Sequence, residues 1–158
     1  MPMRVSANVN NFQLRKRREA AYTNILLDVI LLREPHLELS KRVLQCCQSI
    51  VDGYIAVHTF SNMFYILHET EDFSIEDCRN TFNKLLYVFD VATLDKSDVI
   101  AAVNNEAFDD LEDSMQHQSS VASRVDYIVT RNTADFEKST IPAVAPEEFL
   151  RLVHAENS

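Results

Sequence analysis

At 158 residues, 46% hydrophobic and 25% charged, the chain has the composition of one ordinary globular domain and the length to bury a single core. One glycine and four prolines argue against a turn-rich all-β fold, and no GxGxxG or Walker-type run is present to cradle a nucleotide phosphate. A formal charge of −9 disfavours a protein that holds nucleic acid mainly by neutralising phosphates. It leaves room for an enzyme that reaches phosphates through bound cations, or for a basic protein partner; an acidic surface serving solubility is the plainer reading. Cys46, Cys47 and Cys78 form neither an even set nor a CxxC pair, so free thiols in a reducing cytoplasm are expected. No run of about 18 apolar residues offers a membrane span, and the N-terminus lacks the apolar region of a secretion signal.

In chain order, residues 1–20 are polar and end in the basic run Arg15-Lys16-Arg17-Arg18. They read as an irregular N-terminal extension, ahead of a domain over 21–154 and a short tail over 155–158. The basic run can touch RNA or an acidic patch of its own domain, although a solvated charge run is the plainer account. Residues 25–32 are too uniformly apolar for a surface helix and form either a core helix or a buried strand. Pro35 stops that element, and residues 37–50 have helical spacing through Leu39, Val43, Leu44 and Cys47. Gly53 precedes a short strand over 54–57. Thr59 is placed to cap the following helix, with Met63, Phe64, Ile66 and Leu67 as its apolar positions.

Ser74, with Asp77 three residues on, opens a further helix, and residues 88–92 suit a strand. Asp95 or Ser97 starts a helix through Val99, Ile100 and Val103. Residues 110–123 are helical, 127–130 form the clearest strand, and Pro146-Glu147-Glu148 begins a last helix. Strands separated by helices predict a parallel sheet covered on both faces, with the ligand site beyond the C-terminal ends of the strands.

Three polar clusters fall at such ends. In Asp109-Asp110-Leu111-Glu112-Asp113, helical geometry would place Asp109, Glu112 and Asp113 on one face. Acids so crowded are tolerated at a helix N-terminus or around Mg²⁺ or Mn²⁺, which prefer oxygen ligands. Thr130-Arg131-Asn132-Thr133-Ala134-Asp135-Phe136 brings a hydroxyl, an amide and a carboxylate to the end of a strand; in a plain turn, Asn132 and Asp135 would cap backbone groups. Thr59-Phe60-Ser61-Asn62 is the third cluster. Five histidines are scattered, and His117, one turn after Asp113, reads as a surface or core residue more readily than as a site residue.

Taken in order, these segments resemble the PIN-domain family. Thr23-Asn24-Ile25-Leu26-Leu27-Asp28, running on to Arg33-Glu34-Pro35, is similar to the family's Asp-Thr-Asn opening, and the Arg-Glu-Pro ending is typical of one bacterial branch. Ser61-Asn62-Met63-Phe64 resembles that branch's second helix, where Asn often replaces the usual Glu. Leu111-Glu112-Asp113 resembles the acidic helix start, Tyr127-Ile128-Val129-Thr130-Arg131-Asn132 through Asp135-Phe136 the last motif, and Ile141-Pro142 with Pro146-Glu147-Glu148 the ending. The resemblance spans about residues 22–152 and implies a PIN-like, Rossmann-like three-layer α/β/α fold with a mostly parallel sheet.

It further implies a metal-dependent endoribonuclease of the VapC toxin kind. Such an enzyme hydrolyses RNA phosphodiesters with Mg²⁺ or Mn²⁺, forms a homodimer and takes an antitoxin-like protein partner. Carried over by position, Asp113, Glu112 and Asp135 are the catalytic and metal-binding residues, and Asn24, Asn62, Thr130 and Asn132 support them. The sequence departs from the pattern at Tyr22, where the family has its first aspartate. A neutral phenol does not replace an anionic ligand at pH 7. If residues 3–8 were the first strand instead, Asn8 would stand at that position; neither alignment supplies a carboxylate. The alternative function is a catalytically inactive PIN-like module that binds a protein partner or RNA.

Overall fold

The computed structural model describes residues 17–21 and 23–156; Tyr22 and the extension over 1–16 lie outside the described residues. β1 (Arg17–Ala21) leads through α1 (Thr23–Ile30) and α2 (Leu37–Cys47) to β2 (Val51–Ala56). Then come α3 (Val57–Tyr65), a π-helical turn (Ile66–Thr70), α4 (Ile75–Val88) and β3 (Phe89–Ala92). α5 (Lys96–Val103), α6 (Leu111–Ala122), β4 (Tyr127–Val129), a 3₁₀ turn (Thr133–Phe136), β5 (Ala143–Val144) and α7 (Pro146–Glu156) complete the described chain.

The strands form one five-stranded parallel sheet in the order β3-β2-β1-β4-β5. Residues 17–20, expected to belong to an irregular extension, are therefore part of the middle strand. Arg-Arg-Glu-Ala-Ala has little intrinsic strand character. It is held extended by pairing on both sides, with Ala21 opposite Ile55 of β2 and Val129 of β4, and such tertiary pairing overrides local propensity. The chain builds outward from β1 to β2 and β3, then crosses back to lay β4 on the other side of β1. This reversal opens a crevice between the C-terminal ends of β1 and β4, the standard ligand position in open parallel sheets.

Alternation along the strands divides the core. Val51 and Ile55 of β2 and Val129 of β4 join Ile25, Leu26 and Leu27 of α1, Val43 of α2 and Phe149 of α7 in the larger cluster. On the opposite face Ile128 packs with Val125, Phe136, Phe108 and Tyr54. Gly53 belongs to the larger face for a steric reason, since a Cβ there would come within 2.6 Å of the Phe89 ring and 2.9 Å of Cys47 Sγ. All three cysteines are buried free thiols.

Helix starts follow the sequence signals in α4, where Ser74 Oγ accepts from the Asp77 N–H at 2.9 Å, and in α5, where Asp95 and Asp98 form a reciprocal capping box. Thr59 differs from expectation. β2 runs directly into α3, whose N-cap is Ala56, so Thr59 lies inside the helix and is fully buried.

One ion pair joins the elements that flank the crevice. Arg131, just past β4, donates through Nε at 2.9 Å and Nη2 at 3.0 Å to the two oxygens of Asp28 on α1. Ser40 Oγ of α2 adds a third donor at 3.0 Å. Asp28 is 0% exposed, so removing the arginine would strand a buried carboxylate on one hydroxyl. Arg131→Met is expected to cost about 3–5 kcal/mol in urea unfolding. Asp28→Asn, which leaves only a partly exposed arginine behind, should cost less. A loss below about 1 kcal/mol for Arg131→Met, the level of an exposed surface pair, would show that the pair does not hold these elements together.

Candidate functional site

The C-terminal ends of β1 and β4 are bridged by side chains that follow them. Asn24, in the first turn of α1, donates through Nδ2 to Thr130 Oγ1 at 3.4 Å. Thr130 is buried; its hydroxyl oxygen also accepts from the Asn132 N–H at 3.1 Å, and its own N–H donates to the Val144 carbonyl at 3.0 Å. The turn after β4 is thus tied by Thr130, not by side-chain caps from Asn132, which makes none. Asn24 Oδ1 is buried without a hydrogen-bond partner.

Asp110 caps α6, its Oδ1 accepting from the Asp113 N–H at 2.9 Å. Asp109 precedes the helix, so the expected face of Asp109, Glu112 and Asp113 does not form. Instead Asp109, Asp110 and Asp113 line a cleft of about 290 Å³ that Asp135 and Lys138 complete from the turn after β4. The structure thereby brings Asp113 and Asp135, from two separate elements, to one cavity.

Glu112 is not on the lining of this cleft; the Asn62 amide of α3 is close enough to act on its carboxyl. Packing around the carboxyl raises its pKa, and the charges of Asp110 and Asp113 raise it further, while the Asn62 amide works against them. One turn inward on the same two helices, Thr59 Oγ1 donates to Gln116 Oε1 at 3.4 Å, and both side chains are buried. Gln116 escaped the reading of the sequence; its position four residues after Glu112, on the same helix face, is the signal that points to it. Asn132 lines a different hollow, shared with His36, Ser40, Arg131 and Pro146.

Among the described residues, no three His, Cys, Asp or Glu side chains converge as a ready-made metal cage. The oxygen donors of Asp113 and Asp135 nevertheless suit Mg²⁺, which commonly takes one or two carboxylates and completes its shell with water and substrate phosphate. His117 is a core residue. Its ring packs on Phe108 at a centroid distance of 5.0 Å, and its Nε2 lies 3.1 Å from Thr140 Oγ1 and accepts from the Thr140 N–H at 3.4 Å. Among the described residues, no helix is long and apolar enough to cross a membrane.

A family model described as a PIN domain matches residues 23–134. No curated protein matches the chain in sequence. Solved structures share the fold at low identity. VapBC2 from Rickettsia felis, bound to a promoter DNA fragment, aligns with a TM-score of 0.63 and 12% identity over 81% of this chain and 98% of that one. A toxin–antitoxin complex from Klebsiella pneumoniae aligns with a TM-score of 0.62 and 21% identity over 81% and 97%. FitAB bound to a DNA fragment aligns with a TM-score of 0.52 and 16% identity over 81% and 94%.

Burial lowers the pKa of both His117 and His58 below the ordinary value of 6.5. The unfolded chain therefore takes up protons first as the pH falls, and stability present above about pH 6.5 declines below it. Urea midpoints measured between pH 7.5 and 5 are expected to fall, and His117→Gln should make that decline shallower. An unchanged slope in the variant would remove His117 from the account.

Proposed function

We propose, from the premise that this chain belongs to the PIN-domain family, that it is a divalent-metal-dependent ribonuclease of the toxin–antitoxin kind whose cation binds tightly only together with RNA. The observation that carries this reading is that Asp113 and Asp135, from two separate elements, line one cleft. A bound Mg²⁺ or Mn²⁺ would polarise a phosphoryl oxygen of the RNA and lower the pKa of the attacking water.

In this reading Asp113 and Asp135 hold the cation, and Glu112, with its raised pKa, is suited to accept a proton. Asn62 orients Glu112, while Asn24 and Thr130 fix the crevice. Asn132 supports the turn after β4 through its backbone. With Tyr22, Asn62 and Asn132 where acids are commoner in the family, the site carries fewer charges and leaves more of the metal shell to the substrate. The toxin–antitoxin complex among the structural neighbours supports an antitoxin-like protein as partner, and the same reading carries a homodimer.

A second reading is a catalytically inactive PIN-like module that binds a protein partner or RNA. It is favoured by the Asn62 amide beside Glu112, which eases the Glu112 charge without a cation.

Cleavage of RNA with Mn²⁺, lost on adding chelator and in Asp113→Ala, is the expected result. No cleavage, alongside tight binding to the product of a neighbouring gene, would replace the enzyme by the binding module. Tyr22→Asp should tighten Mn²⁺ binding, because cation affinity rises with the number of charged oxygen ligands. Unchanged affinity would place residue 22 outside the metal site.

A further inference from the structure

We infer that Lys138 is the residue by which this cleft grips a phosphate of single-stranded RNA, an assignment that rests on the ribonuclease reading. The cleft is lined by Asp109, Asp110, Asp113 and Asp135, and Lys138 is the cationic side chain among its lining residues. An incoming phosphodiester meets these carboxylates within a cavity of about 290 Å³, on a chain whose net charge of −9 already repels it. A cation in the cleft wall lowers that repulsion, adding to what a metal held by two carboxylates supplies.

Two of the other described basic side chains are committed within the fold. Arg131 is held by both oxygens of Asp28, and Arg151 by both oxygens of Glu148. Lys138 is exposed and makes no ion pair within 4 Å among the described residues. Its ammonium is a compact charge on a flexible stem, suited to meet a phosphate oxygen without the planar geometry that arginine imposes.

A lysine serving only to neutralise the aspartates would behave differently. Its removal would destabilise the fold and leave RNA binding alone. For a phosphate contact, removal should weaken RNA binding while leaving the cation's own affinity equal or higher, because one repelling charge has gone.

The test is fluorescence anisotropy of a short labelled single-stranded RNA across a salt series, with Ca²⁺ as the cation. Ca²⁺ carries the same charge as Mg²⁺, and its larger, looser shell lets binding be read without rapid hydrolysis. Lys138→Met is expected to bind about tenfold more weakly, with the slope of log K against log salt reduced by about 0.7, the share of one phosphate on a single strand. Lys138→Arg should restore most of both, and the Ca²⁺ affinity and melting temperature of Lys138→Met should not fall. Unchanged RNA affinity and slope in Lys138→Met overturn the assignment while leaving the ribonuclease reading in place. If the unmodified protein binds neither cation nor RNA, the ribonuclease reading fails and takes the assignment with it.

Discussion

The geometry of the crevice depends on the ion pair between Asp28 and Arg131. Asp28 lies four residues after Asn24 on α1, and Arg131 directly follows Thr130, so the pair and the Asn24–Thr130 hydrogen bond join the same two elements in adjacent layers. The bidentate pair is the short, well-directed contact of the two, and a 3.4 Å amide–hydroxyl contact is too weak to set that distance alone. Ser40 extends the clamp to α2. The pair also occupies a fully buried carboxylate. Both oxygens of Asp28 are satisfied by the protein, so this acid, six residues after position 22, is given to structure.

Charge is distributed around the cleft to limit the repulsion such sites carry. Asp110 directs one oxygen at the backbone of α6, where the helix N-terminus favours an anion. The Glu112 carboxyl is pushed toward its neutral form by packing, with the charges of Asp110 and Asp113 adding to the effect and the Asn62 amide opposing it. What remains on the cavity wall is a looser group of aspartates with one lysine among them. The neutral amides that replace acids thus lower the folded chain's electrostatic strain and, by the same change, weaken its hold on a cation. Thr59 and Gln116, one turn below, add a long buried contact between α3 and α6 beneath that arrangement.

Most of the helices and two of the inner strands are legible from residues alone, because their signals are local. Ser74, Asp95 and Asp110 announce helix starts through side chains that reach backbone N–H groups three residues on. β2 and β4 are apolar enough to be recognised without their neighbours. β1 is the opposite case, since charged and small residues become the middle strand only because β2 and β4 pair with it from both sides. Thr59 misleads for a related reason: a hydroxyl after a strand looks like a cap, yet the chain turns into α3 two residues earlier and buries it.

The residues of the site divide along the same line. Sequence by itself determines that acids cluster at the start of α6, that a Thr-Arg-Asn turn ends β4, and that Tyr22 stands where a carboxylate is customary in the family it resembles. These are statements of residue type and short spacing, which one segment carries alone. Only the tertiary structure decides that Asp113 and Asp135 line one cleft, that Asn62 comes near Glu112, that Asn132 lines another hollow, and that Arg131 belongs to Asp28. Each of those contacts joins segments tens of residues apart, whose distance is set by the parallel register of the sheet and not by any local pattern.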